Sequence, residues 1–395
     1  LTNDFCFVVA GSSSLGKQHQ ELSMKVDPMR RSASCAYVRS AVLVAVALPF
    51  VLSAKPTSAE TRGYVISWFA TAVNTRDFAG DCPDTAKHID KGAAEDGPRR
   101  RDVALVDGKP VPTSSYPAAV QKDPAIETIQ GKYAYGFDLG GPAANKFIDP
   151  QTHEKVDNQI WRAIGCHSNF AQRPPPEMPY SEALGWSALL DTSPGWVMQI
   201  SGADLNKDGP VTVTLDRTLR HVERDAQGGV RNNVTYTIDP APRSHNVLTG
   251  DIKKGLLGIN SGDIYMVADL PFYTQVDLTN AHMRMRTESD GKLLGYWGGH
   301  TDWQAWMYLY TARPAAADPV GYYWALQKLA DADPDPATGQ NRRISTTWRM
   351  QAVPAFLAQV DGTVIANASP EPLGGVVQQT AAASGTSSPA NPSRK

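Results

Sequence analysis

Apolar and polar positions alternate with a period of two through much of the second half of the chain, the pattern of half-buried strands. Residues 197–201, 211–217, 233–238, 263–268 and 281–287 each carry it. Asp225-Ala226-Gln227-Gly228-Gly229 reads as a turn between two of these runs. Asp290-Gly291 is a hairpin signal leading into residues 292–297. Trp306, Tyr308 and Tyr310 alternate with Met307 and Leu309 and extend the strand pattern. Nearer the start, the β-branched and aromatic run 64–69 reads as a first strand, although Ala70, Ala72 and Val73 leave a helix open. Residues 132–139 alternate too, with Tyr133, Tyr135 and Phe137 on one side. Strand after strand with short turns predicts a mainly β fold, an antiparallel sandwich or an open barrel.

Two stretches break this pattern with helical signals. Asp157 or Asn158 can cap a short helix from Gln159, and Gly165 can end it, placing Ile160, Ala163 and Ile164 on one face. Residues 320–332 carry Tyr322, Trp324, Leu326 and Leu329 among good helix formers, and Pro334 and Pro336 stop them. They form a small C-terminal helical appendage. Residues 344–357 are ordered, of unassigned type, and interrupted by Pro354. Residues 84–124 are polar and proline-rich, and 173–179 is a proline-rich connector. Beyond Gly362 the composition becomes Ala, Ser, Thr, Pro, Gly and Gln, which cannot bury enough apolar surface to offset its ordering.

The front of the chain changes the picture from architecture to destination. Arg30, Arg31 and Arg39 precede an apolar run at 41–54, and Thr57-Ser58-Ala59 follows with small residues. That is the layout of a secretory signal peptide, with an apolar run shorter than the roughly 20 residues a spanning helix needs. The expected organisation is an upstream extension at 1–28, a signal peptide at 29–59 and a loop-rich N-terminal part with strands at 60–190. A β-rich body with the helical segment follows at 191–362, then a disordered tail at 363–395. The mature part has no second apolar run of spanning length, and the expected location is periplasmic or secreted. Lys plus Arg total 38 and Asp plus Glu total 40, with Arg99-Arg100-Arg101 the one basic block, so nucleic acid is not an expected partner. Of four cysteines, Cys82 and Cys166 follow the leader. In an oxidising compartment such a pair joins as a disulfide; two separate thiols, one of them reactive, is the alternative.

Three oxygen-rich sets are candidate ligands for a structural calcium ion. Asp204, Asn206 and Asp208, followed by Gly209, match the opening of an EF-hand loop, but the twelfth position is Leu215 instead of a bidentate glutamate. A polar hairpin turn explains the same residues. Asp138, Asp149, Asp157 and Asn158 form a second set, with helix capping as the alternative. Asp331, Asp333 and Asp335 form an acid ladder with Pro336 in the glycine place, and read as a solvated helix end.

The most aromatic window runs from 296 to 306. Tyr296, Trp297, Trp303 and Trp306 are candidates for stacking on sugar faces, with core packing as the alternative. In the same window His300 and Asp302 suggest a base and its orienting acid. No Gly-x-Ser-x-Gly elbow supplies a nucleophile.

Gly-Asp-Cys-Pro at 80–83, Val-Asp-Asn-Gln-Ile-Trp-Arg-Ala-Ile-Gly-Cys at 156–166 and the downstream hairpins resemble a group of exported bacterial proteins of unassigned function. The resemblance implies paired cysteines and a β-rich body, and no activity or cofactor. Together these features predict a non-catalytic ligand-binding or structural module of the cell envelope, with glycan or envelope material as ligand. The alternative is a secreted hydrolase using His300 and Asp302.

Overall fold

The alternating segments pair into one antiparallel sheet whose first and last strands meet. The wall strands are β1 (Glu60–Thr71), β6 (Trp196–Gly202), β7 (Gly209–Arg217), β9 (Asn246–Lys253), β10 (Leu256–Ile259), β12 (Tyr273–Thr287), β13 (Leu293–Asp302) and β15 (Asn341–Pro354). Each pairs with the next in that order, and β15 returns to β1, with Tyr64 opposite Pro354 and Thr71 opposite Trp348. The result is a closed up-and-down barrel of eight strands. Between and beside the wall lie the short strands β2 (Leu105–Val106), β3 (Lys109–Pro110), β4 (Phe147–Ile148), β5 (Lys155–Val156), β8 (Thr235–Thr237), β11 (Ile264–Leu270), β14 (Ala332–Pro334), β16 (Phe356–Ala358) and β17 (Val364–Ala366). The helices are α1 (Phe78–Asp81), α2 (Gln159–Ile164), α3 (Trp303–Thr311) and α4 (Pro319–Leu329).

This computed structural model describes residues 59–74, 78–83, 105–106, 109–110, 127–166, 190–270, 273–311 and 319–375. The expected signal peptide up to residue 58, the proline-rich connector, most of 84–124 and the expected tail beyond 375 lie outside the described residues. The first part of that tail, 363–375, is folded instead of disordered because Ala366 and Leu373 bury against the barrel. Lys55–Lys395 forms one compact unit.

An eight-stranded barrel has an interior just wide enough to be filled by side chains. Here it is filled: Tyr64, Ile66, Phe69, Met198, Ile200, Val213, Leu215, Met283, Met285, Trp297, Trp348 and Met350 are all buried in one cluster. Phe69 anchors the aromatic part, with ring centroids 5.5 Å from Trp196, 5.7 Å from Trp297 and 5.4 Å from Trp348. One end is shut by the last described turn. Leu373 is fully buried, and the Gly374 N–H donates to Leu205 O at 2.8 Å. Arg62 is buried below it and donates to Asn206 Oδ1 at 2.7 Å and to Glu371 O at 2.8 Å, with Glu60 as its ion-pair partner at 2.7 Å. The first strand and the end of the fold are thereby joined.

A second apolar cluster sits outside the wall. It gathers Phe147, Val156, Ile160, Trp161, Ala163 and Ile164 with Trp303, Trp306 and Leu326; α2 packs against α4, and α4 against α3. Cys82 and Cys166 lie in the same cluster and form a disulfide, with Cα atoms 5.4 Å apart. Asn158 caps α2, accepting from the Trp161 N–H at 3.2 Å, and Gly165 ends it, as the spacing predicts.

The mainly β expectation holds in its barrel form, closed instead of open, because β1, the first strand expected at 64–69, pairs with both β6 and β15. Three local readings are corrected. Residues 132–139 make only the isolated bridges Tyr133–Ile148 and Phe137–Asp157, since they lie across the wall and not in a ladder. Residues 303–311 are helix, not strand: Asp302 caps them, and Trp303, Trp306 and Met307 share the buried face at helical spacing. The β9–β10 hairpin was not expected. Its turn residues Lys254 and Gly255 both take positive φ, 52° and 75°, the geometry that suits a two-residue hairpin. Residues 344–357 resolve into β15 and β16, and the helix expected at 320–332 is α4.

Candidate functional site

The outward faces of β12, β13 and β15 carry Arg284 and His282, then Tyr296, Gly298 and His300, then Arg349, Thr347 and Ser345. In an antiparallel pair such residues stand side by side. Instead of meeting solvent, they meet a layer built from residues 127–166. Tyr135 stacks on Tyr296 at 4.9 Å, and Phe137 stacks on His282 at 5.6 Å. Gly298 leaves room for that ring: an added Cβ would stand 2.4 Å from Phe137 Cδ2. The Gln159 N–H donates to Ser345 Oγ at 3.0 Å, tying α2 to the wall.

Two fully buried aspartates organise the layer. Asp149 accepts from the N–H groups of Gln151 and Thr152 at 2.8 and 3.1 Å and from Gly136 at 3.3 Å. Arg284 Nη2 reaches the same carboxylate at 2.9 Å. Asp157 Oδ2 accepts from the Leu139 and Gly141 N–H groups at 2.8 and 3.2 Å, with Lys146 Nζ at 3.6 Å. Its other oxygen, Oδ1, is buried and has no hydrogen-bond partner.

Next to that oxygen is a third acid. Asp331 follows α4 and accepts from Ser345 twice, Oδ1 from the N–H and Oδ2 from the hydroxyl, both at 2.7 Å. A Cβ placed on Gly141 would be 2.5 Å from Asp157 Oδ1 and 3.3 Å from Asp331 Oδ2, so both carboxylates press on one point. Burial pushes the Asp331 carboxyl up to about 6; the Asp157 charge adds to the rise and the two Ser345 bonds oppose it. His300, only 6% exposed, completes the group. Burial holds its imidazole below the usual value, the charge of Asp157 pulls it back up, and Arg343 and His282 push it down. A carboxyl raised by burial beside a second, hydrogen-bonded carboxylate, with an imidazole that feels the second one's charge, is a proton-handling arrangement.

The sequence-predicted residues distribute differently. His300 feels the charge of Asp157, whereas Asp302 is engaged elsewhere. Asp302 Oδ1 accepts from the Gln304 and Ala305 N–H groups at 2.8 and 2.9 Å and serves as the cap of α3. The stacking candidates are buried in three separate places. Trp297 fills the barrel, Tyr296 lies under Tyr135, and Trp303 and Trp306 pack in the helical cluster, with Trp303 Nε1 donating to Asn341 O at 3.1 Å. None offers an open face for a sugar, because the hydrophobic gain of burying each ring is met inside the protein.

The calcium candidates are likewise committed. Asp138 pairs with Lys146, whose hydrogen bond, followed by that of the Gly140 N–H, holds the carboxyl below its ordinary range. Asn158 caps α2 and donates to Tyr135 O at 2.9 Å. Asp204 pairs with Lys207 at 2.6 Å, Asn206 accepts from Arg62, and Asp208 accepts from the Lys254 N–H at 2.7 Å, all in the β6–β7 turn region. Asp333 pairs with Arg342 at 2.8 Å, and Asp335 accepts from the Ala337 and Thr338 N–H groups. Among the described residues, no three or more His, Cys, Asp or Glu side chains converge as a metal-holding group.

Sequence reasoning read Asp331 as part of a solvated helix end, whereas it is largely buried against Ser345, and it missed Ser345, His282 and Lys146. Asp331 carried one signal, its place directly after an amphipathic helix where the chain turns back to the wall. Its partner Asp157 comes from a distant segment, and no local period reports that meeting. Comparison of the chain with family models, with curated proteins and with solved structures finds no match.

Proposed function

We propose that this chain works outside the cytoplasm, periplasmic or secreted, as a non-catalytic module of the cell envelope that binds or scaffolds. One observation carries the location: the buried Cys82–Cys166 bridge, which pins the residue after α1 to the end of the 127–166 layer, just past α2. Disulfides persist in oxidising compartments and are rare where thiols are kept reduced. That no helix among the described residues is long and apolar enough to cross a membrane is in keeping with it. The non-catalytic reading is supported by the filled barrel and by Asp302 capping a helix instead of orienting His300. With Tyr296, Trp297, Trp303 and Trp306 buried, envelope material would be recognised through the outer surface and not by stacking on these rings.

Fractionation of the native host with peptide mapping of unreduced protein tests the location. The expected result is a cross-linked Cys82–Cys166 peptide in the periplasmic or culture fraction. Cytosolic protein with two alkylatable thiols sinks the proposal. Retention on insoluble envelope polysaccharide tests the binding role.

A second reading, an exported hydrolase, is favoured by His300 lying within the field of Asp157, the acid wedged with Asp331 against Gly141. It would use those acids in place of Asp302. Turnover of an ester, amide or glycoside panel that disappears in His300→Ala would establish it and remove the first.

A further inference from the structure

We propose that Asp331, wedged with Asp157 against Gly141 where the 127–166 layer meets the barrel wall, is a proton-operated clasp that holds the layer shut when protonated and loosens it when ionised. The geometry sets the parts. Ser345 fixes Asp331 to β15 through two 2.7 Å bonds, so this carboxyl moves with the barrel. Asp157 belongs to the layer and grips its 139–141 loop through two N–H groups. Between the two carboxylates no hydrogen-bond donor serves Asp157 Oδ1. A buried acceptor without a donor is costly, and a second negative charge beside it costs more.

The charged and titratable groups around the pair all bear on the balance. From the layer, Lys146 neutralises Asp157 and is shared with Asp138. From β13, His300 feels Asp157, and from β12, His282 feels Asp138. From β15, Arg343 is engaged with Asp277 at 3.0 Å and with His300 O. Burial and the charge of Asp157 put the Asp331 proton in the range near 6, where mild acid supplies it. With Asp331 protonated, no charge on it faces Asp157, which Lys146 and two N–H groups serve. Ionisation of Asp331 puts a negative charge there, and the repulsion pushes the 139–141 loop off the wall.

Amide hydrogen exchange in the full chain tests the clasp, read at Leu139 and Gly141 and corrected for the intrinsic pH dependence of exchange. Expected is a loss of protection at these two amides of about tenfold or more between about pH 5 and about pH 7.5. Val213 and Leu215 in the wall serve as unchanged controls. In Asp331→Asn, which keeps an acceptor for Ser345 without the charge, protection at about pH 7.5 should match the wild type at about pH 5. Equal protection at both pH values in the wild type overturns the proposal. So does a pH dependence that survives in Asp331→Asn but vanishes in His300→Gln. If Asp331→Asn does not fold, carboxyl-carbon NMR of the wild type decides: an Asp331 midpoint near 6 upholds the clasp, and one at the ordinary carboxylate value removes it.

Discussion

Arg284 on the barrel wall reaches Asp149 in the layer at 2.9 Å, and that carboxylate has no exposure to solvent. The pair spans the same boundary as the Asp157–Asp331 cluster, but as opposite charges with three further N–H donors on the acid. Removing one member of a buried pair leaves the other uncompensated. Arg284→Ala should therefore cost roughly 3 kcal/mol or more, seen as a lower urea midpoint. Arg284→Ala combined with Asp149→Asn should cost less than the sum of the two single changes. Additive losses would show that the two groups do not act as a pair.

The Asp331 carboxyl makes stability depend on pH in an unusual direction for an acid. Its folded value is raised to about 6 from an ordinary 3.8, so the folded state binds the proton more tightly. The contribution is fully present below the unfolded value and is lost as pH rises through about 6. Asp331→Asn should thus be more stable than wild type at neutral pH, by up to an order of 3 kcal/mol, and show no advantage near pH 4. Denaturant titrations of both proteins at the two pH values give the comparison. A destabilised variant at neutral pH would contradict the sign.

The Cys82–Cys166 bridge closes a loop with a sequence separation of 84. By the chain-entropy model its removal costs roughly 4 kcal/mol. Cys82→Ala with Cys166→Ala should melt well below wild type, and the loss should appear first in exchange at α2 and residues 127–166. The barrel amides of β6 and β7 should follow at higher denaturant.

Gly295 and Gly209 both lie in wall strands but differ in what surrounds them. A Cβ at Gly295 would stand 2.0 Å from Arg284 O on β12, whereas at Gly209 nothing lies within 4 Å. Gly295→Ala should destabilise by roughly 2 kcal/mol or more through backbone displacement, and Gly209→Ala should fall within about 0.5 kcal/mol of wild type. Thermal unfolding of the two variants checks the contrast; similar melting would refute the tight strand approach.

The acids once considered for calcium already have N–H or cationic partners: Asp138 with Lys146, Asp204 with Lys207, Asp208 with the Lys254 N–H. Chelator treatment is expected to leave Tm unchanged within error. A fall that calcium restores would reveal an ion that these partners displace.

What the chain's own letters disclose depends on how locally each feature is determined. The α2 helix is legible because its cap, Asn158, and its stop, Gly165, are neighbours of the residues they control. The Asp290-Gly291 hairpin is legible for the same reason, Gly291 taking φ 81°. Lys254-Gly255 makes an equally tight turn but carries a lysine at positive φ, which turn preferences do not favour, and so the β9–β10 hairpin is hidden. The 296–306 window is misleading because Trp303 and Trp306 serve a helix that only Asp302 announces. The acid cluster is hidden most deeply, since Asp157, Asp331 and Ser345 meet only after the ring has closed.

That closure joins β1 to β15, the earliest wall strand to the latest, and Arg62 to Glu371 beyond it. A ring of this kind has no complete hydrogen-bonded perimeter until almost the whole polypeptide is present. Such long-range pairing makes for slow folding. A chain emerging from its N-terminus would therefore lack a closed wall until its last hundred or so residues arrive.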